Sequence, residues 1–107
     1  MNPNVQIIQP TEILDGTTTE NLQKAIDQAL AAEADFILVD CERLTFMDSS
    51  GLGALVLALK KSRLQGCRLC LCTINRQVDL LFSLTDTHQV FEIYADQTAF
   101  EAAIATE

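Results

Sequence analysis

The sequence predicts an α/β fold: a small, mostly parallel or mixed sheet of four to five strands with about four helices, in one domain over residues 1–107. Three observations predict it. Phe36 to Val39 is a continuous apolar run, the pattern of a strand buried on both faces. Two segments show helical spacing: Leu22, Ala25, Ile26, Ala29 and Leu30 at offsets 0, 3, 4, 7 and 8, and Leu52, Leu55, Val56, Leu59 and Arg63 at 0, 3, 4, 7 and 11. Strand-like and helix-like segments then alternate to the end of the chain, which indicates βαβ units and a mainly parallel sheet covered by helices.

Taken in order, Val5 to Gln9 is a short apolar run ended by Pro10. Ile13-Leu14 leads into Asp15-Gly16-Thr17-Thr18-Thr19-Glu20, a turn followed by capping residues for the first helix. The strand Phe36–Val39 follows, then Cys41–Met47, a turn, and a helix from about Gly51 to Gln65. Gly66 is placed to end that helix, and Lys60, Lys61 and Arg63 complement the negative end of its dipole. A strand over Arg68–Thr73, a short helix from about Arg76 to Leu84, a strand over Val90–Tyr94 and a closing helix over Thr98–Ala105 complete the pattern. No repeat, linker or low-complexity segment interrupts it.

Length and charge bound the function. A chain of 107 residues buries roughly 65% of its unfolded surface around one core. No run reaches the 18 apolar residues of a membrane span, and Met1-Asn2-Pro3-Asn4 lacks the basic and apolar regions of a leader, so the expected location is cytoplasmic. With 15 acidic against 7 basic residues, a net charge of −8 argues against nucleic acid or an anionic membrane as partner. A basic patch on another protein is the better match.

Cys67, Cys70 and Cys72 have a spacing that raises a metal or redox site, but His88 is the only histidine and no second cysteine pair follows. Arg68 to Ile74 reads as a strand with Cys70 and Cys72 on one face, so with Cys41 these are expected to be small buried apolar residues in a reducing compartment. His88 is expected in a solvated loop. No metal or cofactor site is read from the chain.

The stretch Asp48-Ser49-Ser50-Gly51-Leu52-Gly53 places a carboxylate and two hydroxyls where an apolar strand becomes an apolar helix. A helix N-terminus offers free N–H groups and a positive dipole end, which favour a phosphate there. The same residue types also serve as a helix cap. Gly51 to Leu59 contains no polar residue, so this helix is either buried all round or offers one face to a partner, and so short a chain has little interior for the first option. A phosphate-binding enzyme built on this turn is disfavoured. The turn lacks the lysine of a P-loop and the spacing of a dinucleotide fingerprint, and no base lies near the serines in sequence.

Phe46-Met47-Asp48-Ser49-Ser50-Gly51-Leu52-Gly53, between a buried strand and an apolar helix, resembles the signature of the STAS domain family, and within it bacterial anti-sigma factor antagonists. Leu14-Asp15 with Thr18 and Leu22, and Val78-Asp79-Leu80-Leu81-Phe82 with Val90-Phe91, extend the likeness to nearly the whole chain. The resemblance implies a partner switch without chemistry of its own. Ser49 would be phosphorylated, with Ser50 the competing acceptor, by a partner that is both anti-sigma factor and serine kinase, and a PP2C-type phosphatase would reverse it. It further implies a partner-binding surface of Asp15, Thr18, Asp48, Ser49, Ser50, Gly51, Leu52 and Gly53. A STAS domain serving a different signalling assembly, with no sigma factor, is the alternative.

Two departures stand out. Family members carry about one strand more before the Leu-Asp segment and a glycine three residues before that aspartate, where this chain has Met1–Ile13 and Glu12, so the family's first strand is expected to be missing. After Phe82 a Gly-Leu pair is usual, and Asp86-Thr87 occupies its place.

Overall fold

The computed structural model describes residues 2–106; Met1 and Glu107, the ends of the expected 1–107 domain, lie outside the described residues. Ten elements alternate as β1 (Val5–Ile8), β2 (Glu12–Leu14), α1 (Thr19–Ala31), β3 (Phe36–Asp40), β4 (Leu44–Met47), α2 (Ser49–Leu64), β5 (Arg68–Cys72), α3 (Arg76–Thr85), β6 (Glu92–Tyr94) and α4 (Gln97–Ala105). The main sheet has the order β1-β3-β5-β6, and every pairing in it is parallel. Its register sets Val5 beside Phe36, Phe36 beside Arg68 and Cys70 beside Glu92.

The apolar run of β3 is explained by helices on both of its faces. Ile37, Leu38 and Val39 have no exposed surface, and successive residues point to opposite sides. On one side Ile37, Val39, Leu69 and Leu71 join Ile26 of α1, Leu55 and Leu59 of α2 and Phe82 of α3. On the other, Leu38, Cys70 and Cys72 meet Phe100 of α4. Phe100 stands edge-on to both Phe36 and Tyr94, with centroids 5.8 and 5.6 Å away. Burying a side chain of this size stabilises the fold by roughly 1.5–3 kcal/mol. The four thiols are free and buried, as expected of small apolar residues. Burial pushes the Cys41 thiol up to about 12, which leaves it protonated and unreactive.

Several local details differ from the sequence reading. The residues of β2 and β4 do not extend the main sheet; they pair with each other in a separate two-stranded parallel sheet. The strand expected over Val90–Tyr94 keeps only Glu92–Tyr94, because Val90 lies in the turn after α3 and donates its amide to the Thr87 carbonyl. The strand expected to reach Thr73 stops at Cys72, since Thr73 has φ +59°. The threonines before α1 do not cap it by side chain: Thr18 occupies the cap position, but its hydroxyl accepts from the Asp15 amide and donates to the Ile13 carbonyl. Gly66, φ +71°, follows α2 as expected.

Glu12 and Asp86, the two departures noted in the sequence, have φ +59° and +56°, in the left-handed region that favours glycine. Glu12 sits at an irregularity of the β2–β4 register, and Asp86 ends α3 in the left-handed conformation, its amide donating to the Ser83 carbonyl.

Candidate functional site

The serine turn begins where β4 ends. Met47 is fully buried, and its backbone is clamped by one side chain from α3: Gln77 accepts from the Met47 amide at 2.8 Å and donates to its carbonyl at 2.7 Å. Asn75 donates to the Leu44 carbonyl at 2.9 Å. The Asp48 amide bonds the Leu14 carbonyl, which ties the turn to β2. From α1, Gln23 donates to the Ala54 carbonyl at 2.9 Å, and the Lys61 ammonium reaches both Gln23 and Asp27. Helix α2 is therefore fixed at its start and along its length before any partner arrives.

Asp48 is the cap. Its carboxylate accepts from the Gly51 amide at 3.0 Å with extended backbone at Asp48 itself. Ser49 and Ser50 follow as the first two helical residues, and both are exposed. Neither hydroxyl makes a hydrogen bond to another protein group among the described residues. Because the carboxylate takes the Gly51 amide, the earlier amides at this helix end stay oriented toward incoming negative charge.

The glycines do different things. A Cβ built on Gly51 would lie 2.3 Å from the Leu14 carbonyl oxygen, so no side chain fits between α2 and β2 at this point. At Gly53 a Cβ would meet nothing within 4 Å. Gly16, in the loop before α1, lies close to the turn: a Cβ there would sit 3.8 Å from the Ser50 hydroxyl oxygen. Leu52 is buried in the core.

Asp15 and Thr18 are occupied inside that loop. The Asp15 carboxylate accepts from the Thr17 hydroxyl and amide at 2.7 and 2.9 Å, and these bonds hold it below the usual carboxylate range. They shape the loop beside Ser50. Of the eight residues expected at a partner surface, Ser49, Ser50 and Gly53 are exposed and Asp15, Thr18 and Asp48 partly so, whereas Gly51 and Leu52 are buried behind them.

The apolar helix α2 keeps a solvent face. Ser50, Gly53, Leu57 and Leu64 line it, with Leu57 48% exposed and Leu64 87%. Beside the turn, Ile13 and Phe46 are partners across the β2–β4 pair and both are 45% exposed. The sequence reading missed this pair and the Gln77 clamp. His88 is no base for the serines: its Nε2 lies 2.7 Å from Asp79 Oδ1 on α3, and its ring packs edge-on to Phe82. Among the described residues no group of His, Cys, Asp and Glu is placed to hold a metal ion, and no helix is long and apolar enough to cross a membrane.

Comparison with known proteins agrees with this geometry. The STAS domain model matches residues 1–99. The chain is 27% identical over 94 residues to an anti-sigma F factor antagonist of Paenibacillus polymyxa, covering 87% of this chain and 80% of that one. An anti-sigma-B factor antagonist of Listeria monocytogenes is 28% identical over 80 residues, with 75% and 70% covered. Among solved structures, an anti-sigma factor antagonist from Mycobacterium paratuberculosis superposes with a TM-score of 0.80 at 19% identity, covering 95% of this chain and 87% of the other. The phosphorylated Bacillus cell-fate determinant SpoIIAA superposes at 0.70 and 21% identity, covering 96% and 94%. The fold also occurs in a sulfate transporter family protein from Wolinella succinogenes, with a TM-score of 0.78 at 12% identity over 89% of this chain and 80% of that one. With the family model spanning nearly its whole length and the serine turn standing at the head of α2, this chain belongs to the STAS domain family.

Proposed function

We propose that the chain is a phospho-regulated binding module of the anti-sigma factor antagonist type, with Ser49 as the modified residue. The observation that carries this reading is the division of labour at the turn: Asp48 caps α2, and the adjacent Ser49 hydroxyl stays exposed and unengaged. The relatives that are anti-sigma factor antagonists support the role, and among the described residues no base is hydrogen-bonded to either serine, which favours a residue acted upon over a nucleophile.

Unphosphorylated, the module docks its serine turn on an anti-sigma factor that is also a serine kinase, and so frees the sigma factor. Phosphorylation adds about −1.5 to −2 charge beside Asp48 at the edge of the Ile13–Phe46 apolar patch, where repulsion and desolvation oppose docking. The helix terminus tolerates that charge within the domain, so release does not require unfolding. A PP2C-type phosphatase resets the module. The acidic chain suits a basic docking surface on the kinase, and the site of action is the cytoplasm.

Incubation with the kinase and ATP, followed by mass spectrometry, tests the assignment. One phosphate on Ser49, absent from Ser49→Ala, is the expected result. A phosphate on Ser50, or full modification of Ser49→Ala, overturns it.

A further inference from the structure

We propose that the outer edge of β1, with the α1 surface beside it, is a self-association site that pairs with β1 of a second copy of the chain, antiparallel about a two-fold axis. β1 is the end strand of the main sheet, so the backbone groups on its outer side meet no strand among the described residues. Such an edge is a template for another strand. The opposite edge is blunted: β6 has three residues and carries Glu92, paired with Arg68 at 2.9 Å. β1 has no such protection, and Ile7 at its centre is 47% exposed.

The space along this edge is already open. Two cavities of about 230 and 370 Å³ lie between β1 and α1, and they share Ile8, Gln9 and Ala25, so together they form a groove along the strand. Charge selects the occupant. In a chain of net charge −8, residues 2–11 carry no charged side chain, and neither cavity is lined by one. The α1 residues on this side, Asn21, Ala25 and Gln28, are uncharged too, and Lys24 and Asp27 are turned to Glu20 and Lys61. The two carboxylates that touch this segment are both engaged on its inner side, Asp35 accepting from the Asn4 amide at 2.7 Å and Asp40 from the Gln9 side-chain amide at 2.9 Å. An acidic chain can therefore approach its own copy here without like charges meeting, whereas a basic partner finds nothing to pair with. An antiparallel strand pair uses the same patch twice, so the assembly closes at two and joins the sheets into one of eight strands.

Sedimentation equilibrium of the whole chain from about 10 μM to 1 mM, the range of a small interface, tests this. The weight-average mass should rise from 11.8 kDa toward twice that value. Ile7→Lys, which puts a charge on the strand edge, should hold the chain at monomer mass, and Leu57→Lys on the exposed face of α2 should leave the rise unchanged. Amide shifts that move with concentration should map to Val5–Gln9 and the Asn21–Gln28 side of α1. A monomer throughout, leaving the edge to some other protein's strand, overturns the proposal; so does association lost in Leu57→Lys and kept in Ile7→Lys, or shifts confined to α2 or α3.

Discussion

The Asp48 carboxylate holds the Gly51 amide at 3.0 Å, and this one bond removes the capping task from the two serines that lie between them. Asp48→Ala should therefore cost about 1 kcal/mol of stability, whereas Ser49→Ala should change it by less than about 0.5 kcal/mol. Urea denaturation of the two variants checks the pair. A larger loss in Ser49→Ala than in Asp48→Ala would reverse the assignment.

Gly51 and Gly53 have opposite reasons to exist. Gly51→Ala forces a Cβ to within 2.3 Å of a backbone oxygen, and moving α2 off β2 should cost about 1–3 kcal/mol. Gly53→Ala adds a methyl in open space on an exposed helix position and should gain about 0.5–1 kcal/mol. Thermal unfolding of both variants should shift in opposite directions.

The left-handed residues Glu12 and Asp86 predict stabilising substitutions. An L-residue in that region costs about 1–2 kcal/mol, and the freedom glycine gains in the unfolded chain offsets about 0.4–1 kcal/mol of the relief. Glu12→Gly should thus gain roughly 0.5–1 kcal/mol, and Asp86→Gly less, because Asp tolerates this conformation better than Glu. Guanidinium midpoints that fall in both variants would refute the backbone argument.

Periodic and contiguous signals carried most of the fold. The run Phe36–Val39 marked the doubly covered strand, and Leu52, Leu55 and Leu59 marked the inward face of α2, where all three are buried. The pairing of β2 with β4 was not legible, since three and four residues joined across about thirty in sequence leave no period to read. At the site, the motif located Asp48 and the serines, but the roles within it needed coordinates: one carboxylate oxygen on one amide separates the cap from the exposed hydroxyl. Gln77 was invisible for a plainer reason. A lone glutamine on a helix has no pattern until its two bonds to the Met47 backbone are seen.

The account rests on Ser49 governing docking and not folding, and the affinity of the kinase partner for two variants measures this most directly. Asp48 already caps α2 and a carboxylate suits the first turn of a helix, so Ser49→Asp should remain as stable as the unmodified chain while placing a charge in the contact. By isothermal titration, Ser49→Ala should bind the kinase as the unphosphorylated chain does, and Ser49→Asp should bind at least about tenfold more weakly, a loss of about 1.4 kcal/mol. Equal dissociation constants for the two folded variants would contradict the switch.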